Sequence, residues 1–151
     1  FKLALRQSPD RIIHAEVRDE DANTYVRACT RGHEGSMTTL HANKLEDAPE
    51  ALTDMCMLDQ RGMDPNRLTK RITQYVTQVG LEMIGQKRKL VRVGEYIWHN
   101  DQVYVRDWIR YDPIVQDWVR KGAISSKAKQ RIAIEDPGSL DFLYKEGWIT
   151  D

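Results

Sequence analysis

Apolar positions follow two rhythms along the chain, and the rhythm changes near Thr77. In the first part, short apolar runs alternate with stripes at helical spacing. Phe1 to Arg6 has the look of a helix end, closed by Ser8-Pro9-Asp10, because a residue before proline disfavours the helical region. Arg11 to Val17 (R-I-I-H-A-E-V) is an apolar run of strand type. Asp19-Glu20-Asp21 then places acid where a helix start favours it, and Ala22, Tyr25, Val26 and Cys29 fall on one helical face. Gly32 suits the end of that helix. Ser36 to Ala42 is a second strand segment, rich in threonine. Ala48, Ala51, Leu52, Met55, Cys56 and Leu58 mark another helix, which Gly62 and Pro65 break. Arg67 to Thr77 predicts one more.

Beyond Thr77 the alternation is of strand type. Val79 to Met83, Leu90 to Trp98 and Val103 to Ile109 predict three strands joined by Gly85-Gln86-Lys87-Arg88 and His99-Asn100-Asp101-Gln102, an antiparallel meander. Helical spacing returns over Ile114 to Lys121, Ser125 to Ile134 and Ser139 to Lys145, with Ser125 and Ser139 as expected N-caps. The similar stretches Asp107-Trp108-Ile109-Arg110 and Asp117-Trp118-Val119-Arg120 fall on segments with different predicted structure, which argues against a repeat.

Composition narrows the possibilities. The 151 residues suit one ordinary domain rather than two large ones. Hydrophobic residues at 40% and charged residues at 30% describe a foldable chain, not a disordered one. Twenty-three basic residues balance 23 acidic ones, so the basic excess of a general nucleic-acid binder is missing. No apolar run approaches the ~18 residues of a membrane-spanning helix. Two cysteines make no disulfide framework, and a reducing compartment fits them best.

The first forty residues carry the chemistry. Strand, acidic-capped helix and strand form a βαβ unit with an expected right-handed crossover. A three-turn helix and a five-residue strand each cover ~18 Å, so both strands end at one edge, where open α/β sheets bind ligands. At those ends stand Glu16, then Arg18 and Asp19, on one strand, and His41, then Asn43, on the other. A carboxylate there suits Mg²⁺ held through water or the orientation of an attacking water. A neighbouring histidine suits donation to a phosphate oxygen. Between the strands, Thr30-Arg31-Gly32-His33-Glu34-Gly35-Ser36 is a glycine-flanked turn with a further histidine.

These residues carry a resemblance. Leu5-Arg6-Gln7-Ser8-Pro9-Asp10, continuing to Ala15-Glu16-Val17-Arg18-Asp19, resembles the Walker B region of the secretion ATPase superfamily, which serves type II and type IV secretion, conjugation and type IV or Tad pilus assembly. Gly32-His33-Glu34-Gly35-Ser36 with Thr38-Thr39-Leu40-His41-Ala42-Asn43 resembles that family's His box. The order and separation of the two segments match as well. Ala15 departs from the pattern, which has glycine there.

The resemblance implies a fold and a function. The fold is α/β: residues 1–78 are the carboxyl-terminal half of a RecA-like P-loop NTPase core, residues 79–110 the antiparallel meander, and residues 111–151 a helical tail. The full-length protein is implied to be a homo-hexameric ATPase using ATP and Mg²⁺, working with an inner-membrane platform or secretion-channel protein on the cytoplasmic face of the cell membrane. Glu16 is implied to act near Mg²⁺ and the γ-phosphate, reaching the metal through water, with His41 as γ-phosphate sensor. Arg18 and His33 complete the implied catalytic set, and Glu16 and His41 the nucleotide contacts. The chain contains no G-x-x-x-x-G-K-[ST] loop. It is therefore expected to start after that loop and the acidic Asp box, and to be inactive alone.

Other readings compete. The meander and the tryptophan-containing tail could instead form a non-catalytic module docking on a membrane secretion platform. Lys87-Arg88-Lys89 with Arg92 could contact nucleic acid or another phosphate. His14 fits a packed interior position and His99 a solvated turn. Cys29 and Cys56 fit helix faces in the core. Trp98, Trp108, Trp118 and Trp148 fit packing anchors of the carboxyl-terminal part.

Overall fold

The computed structural model describes residues 2–149 apart from 20, 34, 60, 61, 76 and 85. Phe1, Glu20, Glu34 and Gly85, each part of an expectation above, lie outside the described residues, and so do the side chains of the expected strand Val79 to Met83. The chain is mixed helix and strand and divides into two compact units: Phe1–Gln78 with Glu95–Val105, and Val79–Gly94 with Arg106–Asp151.

The first unit opens with α1 (Lys2–Arg6), β1 (Ile13–His14), α2 (Asp21–Cys29) and β2 (Met37–Thr38). β1 and β2 pair in parallel, with Ile13 opposite Met37 and His14 opposite Thr38, so the expected βαβ unit is present. The paired strands are shorter than the apolar runs that announce them, because pairing is regular over two residues only. A short 3₁₀ turn at Leu45–Asp47 leads into α3 (Ala48–Met57), and α4 (Pro65–Tyr75) follows. Pro65 does not break a helix; it occupies the first helical position, where its missing N–H costs nothing. Asp64 caps that start, accepting the Arg67 amide on its carboxylate at 2.6 Å.

The core of this unit is apolar and helical. Val17, Ala22, Tyr25, Val26, Leu52, Cys56, Leu68 and Ile72 are all buried together. Burial pushes the Cys56 thiol up to about 12 and raises Cys29 as well, so both behave as small apolar residues. Two hydroxyls meet at this helical interface: Thr53 and Thr69 lie 2.8 Å apart, so that one donates to the other, which donates in turn to the carbonyl of its own helix, Pro49 or Pro65. The buried Asn23 amide donates to Asp59 at 2.5 Å, tying α2 to the segment after α3.

The meander is β3 (Thr77–Ile84), β4 (Lys87–His99), β5 (Gln102–Asp112) and β6 (Asp117–Arg120), in that order across one sheet. Asn100 and Asp101 both have positive φ, 49° and 58°, as the two central residues of a type I′ hairpin require. β6 corrects the helix expected over Ile114 to Lys121. Asp112 accepts the amides of Ile114 and Val115 on one carboxylate oxygen, and Gln116 takes φ of 56°. That turn sends the chain back antiparallel to β5, with Tyr111 opposite Trp118. The Trp118 indole meets Tyr111 edge-on and donates to the Leu90 carbonyl. The two Asp-Trp-x-Arg stretches thus lie on adjacent strands.

In this second unit α5 (Ser126–Glu135) and α6 (Pro137–Lys145) close the chain. Ser125 caps α5 as expected, accepting the Ala128 amide. The cap of α6 is Asp136 rather than Ser139, which instead donates its amide and hydroxyl to Asp136, with Pro137 at the first helical position. Arg120 fastens β6 to the end of α6: its guanidinium donates to the Glu146 and Gly147 carbonyls and lies 4.0 Å from the Trp148 ring.

At Gly94 the neighbouring strand leaves no room for a side chain. A Cβ there would sit 2.2 Å from the Arg106 carbonyl oxygen, against 3.2 Å from the Asp107 oxygen at Gly122. Gly94→Ala is expected to destabilise by about 1–3 kcal/mol. Gly122→Ala is expected to cost less. Thermal unfolding of both variants checks the order; equal melting temperatures would contradict it.

Candidate functional site

Glu16 lies just past the paired part of β1, and an extended backbone puts residues two apart on one side. Arg18 therefore returns to the same face as Glu16, and its Nη2 donates to Glu16 Oε2 at 2.5 Å. Two further bonds bring β2's continuation alongside. The Val17 amide donates to the Thr39 carbonyl at 3.1 Å, and the Thr39 hydroxyl donates to the Ala15 carbonyl at 2.5 Å. His41 follows two residues later, with Nε2 3.6 Å from Glu16 Oε1. Glu16, Arg18 and His41 thus meet at the carboxyl-side edge of the parallel pair. The carboxylate is partly sheltered at 26% exposure, while the Arg18 and His41 side chains stand in solvent at 73% and 91%.

The electrostatics follow from that geometry. The hydrogen bond from Arg18, then its charge, hold the Glu16 carboxyl below its ordinary range, and the charge of His41 adds in the same direction. Glu16 in turn raises Arg18. The carboxylate is therefore ionised at neutral pH, with Oε2 occupied by Arg18 and Oε1 turned toward His41. An ionised, one-sidedly tethered carboxylate of this kind can accept a proton or a water hydrogen, and can hold a hydrated cation. No group of three or more His, Cys, Asp or Glu side chains suited to a metal occurs among the described residues.

His33 occupies a different place. Its ring Nδ1 lies 2.5 Å from the Pro9 carbonyl, and no described hydrogen bond or ion pair joins it to Glu16. His14 stacks on Tyr25, with ring centroids 6.0 Å apart, as its expected packed position requires. At the basic hairpin, Lys89 sits 3.9 Å from the centre of the Tyr111 ring and bonds that residue's hydroxyl, and Arg92 pairs with Asp107 at 2.8 Å. Half of the four expected basic groups are thus committed to internal contacts. Sequence reasoning passed over Ser36 and Thr39, whose hydroxyls tie the two strands together; the threonine-rich run was their signal.

The family model for type II/IV secretion system proteins matches residues 1–113. The chain belongs to that family. Relatives within it include the type IV secretion system protein PtlH of Bordetella pertussis, 43% identical over 57 residues, which are 38% of this chain and 17% of that protein. The type IV secretion system protein VirB11 of Bartonella quintana is 42% identical over 67 residues, 44% of this chain and 19% of its own length. The conjugal transfer protein TrbB of Rhizobium radiobacter is 37% identical over 91 residues, 60% and 23% respectively. The matched stretch is less than a quarter of each of these relatives. As a secretion-family chain, it has no described helix long and apolar enough to cross a membrane.

The Glu16 carboxyl is expected to titrate below the ordinary glutamate range by carbon-detected NMR, and to move upward in Arg18→Ala and at high salt. Because its folded value is depressed, the stabilisation from this pair is present above the unfolded value and lost as pH falls through the folded one. A Glu16 midpoint unchanged by Arg18→Ala would refute the pairing.

Proposed function

We propose that these residues form part of a RecA-like core in an ATPase that powers secretion, conjugation or pilus assembly. The observation that carries this reading is the meeting of Glu16, Arg18 and His41 at one edge of a parallel strand pair, inside a chain of the type II/IV secretion family. Glu16 is the group that orients the attacking water and accepts its hydrogen bond. Arg18 fixes one of its oxygens, leaving the other for chemistry. His41, extended into solvent beside it, is the donor that reads the terminal phosphate and passes its presence to a neighbouring subunit.

The donor set fits Mg²⁺ of a particular kind. Mg²⁺ keeps several waters and takes one or two carboxylates plus substrate phosphates rather than an all-protein cage. One available oxygen on Glu16 meets that demand through a bound water. When bound, the metal neutralises charge on the transferring phosphate. The phosphate cradle itself is not encoded in these 151 residues. The active assembly in this reading is a homo-hexamer at the cytoplasmic face of the membrane, moving a platform or channel partner.

In the complete gene product containing these residues, Glu16→Gln is expected to lower kcat for ATP by ~10²–10³-fold with little change in KM. His41→Ala is expected to lower kcat as well. The 151-residue chain alone is expected to show negligible turnover. Full activity of Glu16→Gln would reject the proposed role.

A further inference from the structure

Three side-chain bonds join the strand pair beneath the site at a shared offset. The His33 ring reaches the Pro9 carbonyl, the Ile12 amide donates to the Ser36 hydroxyl at 2.9 Å, and the Thr39 hydroxyl donates to the Ala15 carbonyl; each bond joins residues 24 apart. Ile13 with Met37 and His14 with Thr38 keep the same offset. Backbone bonds from Met37 to Ile12 and from Val17 to Thr39 join the same strands, and the side-chain bonds add to them.

Register in a sheet is ordinarily enforced by burying one face, since a one-residue slip turns every side chain over. Burial supplies part of that force here: Ile12 and Val17 are buried, while the outward pair Ile13 and Met37 is 73% and 64% exposed and contributes little. Side-chain bonds add a second constraint on the offset. The turn after α2 is built for it. Ser36 donates its hydroxyl to the His33 carbonyl at 2.6 Å while accepting the Ile12 amide, which makes the two residues one unit. Gly35, at φ of 75°, lies under Arg11, whose Nε would be 3.0 Å from an added Cβ.

We infer that His33 and Ser36 are a register lock: their side chains fix β2 against β1 at the one offset that sets His41 beside Glu16. They are positioning residues, acting on the reaction only through that pair. A carbonyl oxygen can only accept, so Nδ1 of His33 carries the hydrogen. Neutral and protonated rings both satisfy this, and the lock holds in either state. Its consequence for turnover rests on the ATPase reading; the lock itself is a property of this chain.

The test is hydrogen exchange and cross-strand NOE measurement on the 151-residue chain. The amides of Met37 and Val17 report the register directly, since they donate to Ile12 and Thr39. His33→Asn, whose side-chain N–H takes the position of Nδ1–H, is expected to keep their protection and the Ala15–Thr39 NOE. His33→Gln, which places its N–H further out, and the double variant His33→Ala with Ser36→Ala are expected to lose ~10-fold or more of that protection, with α3 and α4 amides unchanged. In the complete gene product the same variants should lose kcat, with Asn rescuing. Undiminished protection in the double variant overturns the lock, and so does a loss spread equally over α3 and α4. If the exchange pattern appears but Glu16→Gln keeps full ATP turnover, the lock stands and the functional reading fails.

Discussion

The parallel pairing of Ile13–His14 with Met37–Thr38 joins only two positions on each strand, and the placement of Glu16 against His41 depends on it. Long parallel sheets hold their register through two buried faces. This pair has one exposed apolar rung at its start and one buried side at Ile12 and Val17, and it adds hydrogen bonds beyond the backbone ladder. The bonds lie on both sides of the rung: His33 and Ser36 before it, Thr39 after it. Behind the pair, α2 supplies rigidity by burying Ala22, Tyr25 and Val26 in a core shared with α3 and α4, and Val17 carries β1's continuation into that same core.

The chemistry at the edge is set by how few partners Glu16 has. Arg18 is close enough to fix one of its oxygens, yet exposed enough that the carboxylate is not buried in a closed ion pair. A sealed pair would carry a large desolvation cost and leave no oxygen free. The open arrangement leaves the carboxylate accessible to water, as its proposed role requires. The second unit follows a different logic. It uses cations as fasteners, with Lys89 against Tyr111 and Arg120 across Trp148 at the end of α6. These contacts place charged groups of the hairpin and tail in structural service and weaken the case for a nucleic-acid surface there.

Much of this was legible in the sequence. Helical spacing located α2, α3, α4 and α5 to within a few residues, and strand alternation located β4 and β5, because each of these segments is long enough for its period to show. Glu16, Arg18 and His41, expected at one strand edge, do meet there, whereas His33, expected with them, turns to the Pro9 carbonyl. Three local readings needed correction. Pro65 starts a helix rather than breaking one, and Asp136 rather than Ser139 caps α6. Ile114 to Lys121 is a turn and strand, because the Asp112 side chain and a left-handed Gln116 close a hairpin. The echo Asp-Trp-x-Arg was the available signal, since its first copy already lay on a strand.

By itself the sequence determined most of the longer elements and which side chains carry charge near the strand ends, because periodicity and residue type are local properties. Tertiary structure alone decided that Arg18 takes one Glu16 oxygen while His41 faces the other, and that His33 turns to the Pro9 carbonyl. Those choices depend on the offset between two strands separated by a helix and a turn, which no local pattern encodes.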